Sequence, residues 1–129
     1  MKHRVLVIDD DVSICRIDTI MLQRLGYEAV TANTGEEGLR IYAEALKNGS
    51  PFRVVMLDLT LGEGIDGIET LAQLKKLDPD VCALASSGSS AHALRQNCLE
   101  HGFKGALPKP FRMQDVARCL EELIGKPQP

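Results

Sequence analysis

Tryptophan is absent from the chain, and phenylalanine and tyrosine together supply only 4% of it, so the core has to be aliphatic. A basic excess is also missing. Fifteen Lys and Arg face eighteen Asp and Glu, and the longest basic run is Lys75-Lys76, which argues against a nucleic-acid partner. Cysteine is sparse and widely spaced. Cys15, Cys82, Cys98 and Cys119 form no CxxC and no Cys/His pair with zinc spacing. Each lies in an apolar segment, where a free thiol acts as a small hydrophobe, and this usage predicts a reducing compartment. No apolar run approaches the roughly 20 residues of a membrane span. The basic start Met1-Lys2-His3-Arg4 resembles that of a signal peptide, but the run that follows, Val5 to Ile8, is short and ends in three aspartates. The expectation is a soluble cytoplasmic chain with no membrane partner.

What is present suits a folded domain. The 129 residues, 44% apolar and 26% charged, make one domain able to bury about two-thirds of its unfolded surface. Short apolar runs at Val5–Ile8, Tyr27–Ala32, Arg53–Leu57, Val81–Ala85 and Lys104–Leu107 read as strands buried on both faces of a parallel sheet. Helical periods fill the intervals: Val12–Leu25, Glu36–Asn48, Ile68–Leu77, Ala91–His101 and a last amphipathic segment from Met113 to Ile124. Gly26, Gly49, Asp78-Pro79 and Gly102 supply helix stops. The fold class is therefore α/β, a five-stranded parallel sheet wound on both faces by right-handed crossovers. Residues 1–125 form the domain, and 126–129 read as a frayed tail.

In such a sheet, chemistry sits beyond the carboxyl ends of the strands. There the sequence places Asp9-Asp10-Asp11, Asp58, Ser86-Ser87-Gly88 and Pro108-Lys109-Pro110. Bland readings exist for each: Asp11 is most simply a helix N-cap, Ser86 a turn residue, and Lys109 a solvated loop lysine. Asp58 resists one, because aspartate is a poor strand residue after Val54-Val55-Met56-Leu57. Crowded carboxylates repel unless neutralised, either by a hard divalent cation such as Mg²⁺ or by the Lys109 ammonium.

The motifs VLVIDDD, VVMLDLT, ALASSG and LPKPF, in this order and spacing, resemble the response regulator receiver domain of two-component signalling. The resemblance implies a flavodoxin-like (βα)5 fold that takes a phosphoryl group from a sensor kinase histidine, or from a phosphotransfer protein. On that basis Asp58 is the phospho-acceptor. Asp9, Asp10, Asp58 and the Thr60 backbone carbonyl hold Mg²⁺, and Ser86 and Lys109 contact the phosphoryl group, with Ser87, Ala106 and Pro110 in support. Such a domain is not an enzyme beyond its own phosphorylation and dephosphorylation. It acts on a downstream protein as a monomer or weak dimer.

Two departures stand out. Ala106 occupies a position that is often aromatic in the family. The loop Leu59–Gly67 is one residue longer than the commonest pattern and lacks its proline, as in receivers of hybrid sensor kinases. An alanine has no rotamer to switch, so signalling should pass through the loops Leu59–Gly67 and Ser87–Ser90, with Gly62, Gly64, Gly67 and Gly88 permitting rearrangement. Alternatives are a degenerate, non-phosphorylated receiver and a haloacid dehalogenase-type phosphatase using Asp9. A flavodoxin is disfavoured because Asp9 to Asp11 would repel a flavin phosphate. On the first helix, the apolar positions Ile14, Ile17, Met21 and Leu25 predict the buried face, which ends near Asp18. Cys15 and Leu22 would then be partly exposed as a partner or dimer surface.

Overall fold

Each apolar run becomes a strand and each periodic segment a helix. A computed structural model describes residues 2–62, 64–88 and 91–127. The elements are β1 (Arg4–Ile8), α1 (Val12–Arg24), β2 (Glu28–Ala32), α2 (Gly35–Lys47), β3 (Val54–Asp58), α3 (Gly67–Leu77), β4 (Ala83–Ser87), α4 (Ala91–His101), β5 (Gly105–Pro108) and α5 (Met113–Ile124). All strand pairs are parallel, in the order β2-β1-β3-β4-β5. Strands 3 and 4 run past their apolar runs into the polar residues, because Asp58 pairs in register with Ser86 and Ser87 with Pro108 of β5. Three site residues are thereby fixed by sheet geometry rather than left on loops.

Alternation along the strands divides the core in two. Leu6, Ile8, Val55, Leu57, Ala83 and Ala85 meet Tyr42, Leu71, Leu74 and Leu94 of α2, α3 and α4. Val5, Val7, Val54, Met56, Leu84 and Leu107 meet Cys15 and Leu22 of α1, with Val116 and Leu120 of α5. Burying side chains of this size stabilises the fold by roughly 1.5–3 kcal/mol each. Because β1 and β3 are inner strands covered on both faces, their carboxyl ends are held at the middle of one sheet edge.

The expectation for α1 needs correction. Its inward residues are Cys15, Asp18 and Leu22, all buried, while Ile17 is 53% and Ile20 47% exposed. Cys15 and Leu22 therefore form no partner surface, and Leu22→Glu would attack the core instead of an interface. The rotation of the helix is set at its start. Asp11 caps it by accepting from the Ser13 and Ile14 N–H groups, and the Cys15 thiol donates to the Asp9 carbonyl at 3.3 Å. Positions 15, 18 and 22 share one face of the helix, so burial of Cys15 carries 18 and 22 inward with it.

Gly67 has a packing role beside the hinge role expected of it. A Cβ on Gly67 would stand 2.6 Å from both the Asp58 carbonyl oxygen and Leu59 Cα, so this glycine permits close approach. Of the two expected signalling loops, Glu63, Ser89 and Ser90 lie outside the described residues, as do Gln128 and Pro129 of the tail.

Candidate functional site

Four sequence elements converge where β1, β3, β4 and β5 end. Asp9 follows β1 directly and is 3% exposed, Asp58 closes β3 at 4%, and Asp10 stands out in solvent. Lys109 reaches across from the end of β5, its Nζ donating to Asp9 Oδ2 at 2.8 Å and to Asp58 Oδ2 at 3.2 Å. Its backbone is anchored too: the Lys109 N–H donates to the Ser87 carbonyl at 2.9 Å. The Lys109–Pro110 peptide is cis.

Both oxygens of Asp58 are thus engaged. Oδ2 faces the ammonium, and Oδ1 accepts from the Thr60 N–H and from Thr60 Oγ1, each at 3.0 Å. The Asp9 carboxylate likewise accepts the Asp11 N–H on Oδ1 at 2.9 Å, and Asp10 Oδ2 accepts the Gly62 N–H at 2.9 Å. Ser86 lies opposite Asp58 in the sheet, buried, and its carbonyl accepts the Leu59 N–H at 3.0 Å. Ser87 is buried beside it, and Pro110 is exposed.

Charge here is out of balance. Asp9, Asp10 and Asp58 can each offer an oxygen within 4.8 Å of the others, and among the described residues a single ammonium, Lys109, pairs with them. Burial raises the Asp9 pKa, against the pull of the Lys109 hydrogen bond and the Asp11 N–H, and the Asp58 charge raises it further. Burial works against the charge of Lys109, but the hydrogen bond to Asp9 and the charges of Asp58 and Asp9 outweigh it, so its pKa lies above the ordinary lysine value. A set of three carboxylates with one neutralising cation fits a hard divalent cation of the Mg²⁺ kind, whose preferred ligands are oxygens.

Sequence reading missed three supports. The Asp9 carbonyl accepts from Asn33 Nδ2 at 3.1 Å as well as from the Cys15 thiol, so α1 and the end of β2 both hold the first aspartate in place. Asp18, 4% exposed, feels the charges of Asp9 and Lys109 from one helical turn below Cys15. Nothing in local pattern signals these roles, because each depends on how α1 and the end of β2 pack against the end of β1. Ala106 is half-buried on β5, in register with Ala85, and beside it runs an open groove of about 390 Å³ lined by Arg95, Cys98, Phe103, Lys104 and Gly105.

Comparison with known proteins agrees with this geometry. Residues 5–121 match the family described as the response regulator receiver domain. The chain is 31% identical over 120 residues to the transcriptional regulatory protein ZraR of Escherichia coli K12, covering 93% of this chain and 26% of that protein. The chain thus spans about a quarter of the length of such curated relatives. Among solved structures, Vibrio cholerae chemotaxis protein CheY4 superposes with a TM-score of 0.81 at 27% identity, over 96% of this chain and 100% of that one. CheY in the CheX-CheY-BeF3-Mg complex of Borrelia burgdorferi gives 0.83 at 26% identity, over 93% and 87%.

Proposed function

The chain belongs to the response regulator receiver family, and on that premise we propose that it accepts a phosphoryl group on Asp58 and signals through the change this makes at the sheet edge. The observation that carries the reading is the buried Asp58 carboxylate at the end of β3, with Lys109 Nζ at 3.2 Å and Asp9 and Asp10 gathered beside it. The donor is a phosphohistidine, on a sensor kinase or a phosphotransfer protein. An Asp58 oxygen forms the new P–O bond as the P–N bond breaks, and the departing imidazole keeps the electron pair and takes up a proton.

Phosphoryl transfer passes through a loose transition state with charge on the equatorial oxygens, so positioning and electrostatics do most of the work. The Lys109 ammonium supplies positive charge at the acceptor. The Thr60 N–H and hydroxyl orient the carboxylate, and sheet pairing sets Ser86 opposite it as a donor for the added oxygens. Asp9, Asp10 and Asp58, with the Thr60 carbonyl, are the groups that would hold Mg²⁺. When bound, the ion would screen the charge of the incoming phosphoryl group. The chain acts in this as a substrate of its donor rather than as an enzyme. Among the described residues no helix is long and apolar enough to cross a membrane.

Treatment with acetyl phosphate and Mg²⁺, followed by mass spectrometry of peptides, tests the proposal. A label on Asp58, lost in Asp58→Asn, is expected. A label on Asp9 would instead favour a phosphatase of the haloacid dehalogenase type, and no label on either would indicate a non-phosphorylated interaction module.

A further inference from the structure

The basic start Lys2-His3-Arg4 takes no part in the acidic site. It lies at the amino-terminal edge of the sheet, opposite Asp9 and Asp58. At this edge Arg4 opens β1, Glu28 opens β2 and Arg53 stands one residue before β3. Together with the segment 48–51 that follows α2, they border an open groove of about 730 Å³, a volume ordinary for a small-molecule site. Ile41, Ala45 and Pro51 supply its apolar lining.

The charges lining this groove do not cancel. Arg4 is fully engaged: its Nε pairs with Glu28 Oε2 at 2.5 Å, its Nη1 donates to the Ser50 carbonyl, and its Cζ lies 4.4 Å from the Phe52 ring centroid. Glu44, the other carboxylate of the lining, is held by Arg40 at 3.2 Å. Among the described residues no carboxylate pairs with Arg53 or Lys2, and both are exposed. Arg53 Nη1 instead meets His3 Nδ1 at 3.3 Å. A guanidinium only donates, so Nδ1 accepts and the ring proton sits on Nε2. Burial, and then the charge of Arg53, hold the His3 pKa below the ordinary value, so the imidazole gives Arg53 no counter-charge. The end of α2 offers little opposing negative charge, because the Asn48 and Ser50 N–H groups take up the Glu44 and Ala45 carbonyls, each at 2.9 Å.

We propose that this groove binds a small organic dianion, a phosphate monoester or a dicarboxylate, with its charge between Arg53 and Lys2 and a short apolar chain along Ile41, Ala45 and Pro51. Two cations without counter-charge match two negative charges, and the guanidinium fork suits the paired oxygens of either group. The site is separate from Asp58, so it stands or falls independently of the receiver reading.

The test is a titration with butyl phosphate and with glutarate, without Mg²⁺, followed by NMR of the Gly49, Ser50 and Arg53 amides and the His3 ring protons. One probe or both should move these signals with a common dissociation constant. The tighter of the two identifies the source of the dianion. Arg53→Gln should weaken binding at least about tenfold by removing charge-assisted hydrogen bonds. Arg53→Lys, which keeps the charge without the fork, should fall between Arg53→Gln and wild type. Lys2→Ala should cost about three- to fivefold, as for an exposed ion pair. Arg118→Gln, whose partner is Asp115 on α5, should leave affinity unchanged. Inorganic phosphate, which lacks the chain, should bind more weakly than butyl phosphate. Quiet amides at Gly49, Ser50 and Arg53 up to about 10 mM of either probe, where even a millimolar site is filled, overturn the proposal. So does equal weakening by Arg53→Gln and Arg118→Gln, which marks diffuse attraction to surface cations. Inorganic phosphate binding as tightly as butyl phosphate overturns it too.

Discussion

Asp18 is a carboxylate on the face of α1 that Cys15 and Leu22 fill, and among the described residues no hydrogen-bond donor reaches it. Burial, and then the charge of Asp9, push its pKa up from 3.8 to about 6, against a smaller opposing effect of Lys109. The folded state thus holds this proton more tightly than the unfolded state. Stability contributed by protonated Asp18 is full below about pH 4 and is lost as pH rises toward 6. Asp18→Leu removes the buried charge and should raise stability at pH 7 by about 2–3 kcal/mol, with no gain near pH 4. Urea unfolding at the two pH values checks this, and an equal effect at both would contradict it. The Cys15 thiol is pushed up to about 11 by burial and by the charges of Asp9 and Asp18. It should therefore resist iodoacetamide in the native protein at neutral pH and react only on unfolding, which mass spectrometry can follow.

At the scale of elements, α1 shows why hydrophobic count and burial diverge. Ile17 and Ile20 are exposed while the smaller Cys15 is buried, with its thiol on the Asp9 carbonyl. Leu22→Ala should cost about 2–5 kcal/mol and Ile17→Ser less than about 0.5 kcal/mol, as read by urea unfolding midpoints. If Ile17→Ser were the costlier change, the rotation assigned to α1 would be wrong. Asp11→Ala removes the acceptor of the Ser13 and Ile14 N–H groups and should cost about 1 kcal/mol by the same measurement. The N-cap was readable from sequence, since Asp11 precedes the first helical period. The stripe was misread because Ile14, Ile17, Met21 and Leu25 satisfy a helical repeat as well as 15, 18 and 22 do. A periodicity locates a helix without fixing which of two adjacent faces turns inward.

For the molecule as a whole, the sheet edge and the position of Ala106 determine how a phosphoryl group can be felt. Beryllofluoride with Mg²⁺ should shift backbone amides most at 59–62, 64–67 and Gly88, and less on α5 over 116–123. An NMR titration with the largest shifts on α5 and quiet loops would contradict this. The physical reason is that Ala106 has no ring to turn, whereas the 59–67 loop is bonded directly to Asp58 and Asp10. Sequence by itself determined the alternation of strands and helices, and with it the parallel sheet. Apolar runs of four to six residues, bounded by turn residues and alternating with helical periods, fit strands of a parallel sheet. It also determined that Asp9, Asp10, Asp58 and Lys109 share an edge, since each lies at or just past the carboxyl end of an apolar run and parallel strands all end on one side. The tertiary structure alone decided which residues support them. Asn33 on the Asp9 carbonyl and Glu36 on the Ile65 peptide are contacts between elements far apart in sequence, and the Cys15 thiol reaches the Asp9 carbonyl only because of how α1 packs. Their existence depends on packing distances and helix rotations, which no local pattern encodes.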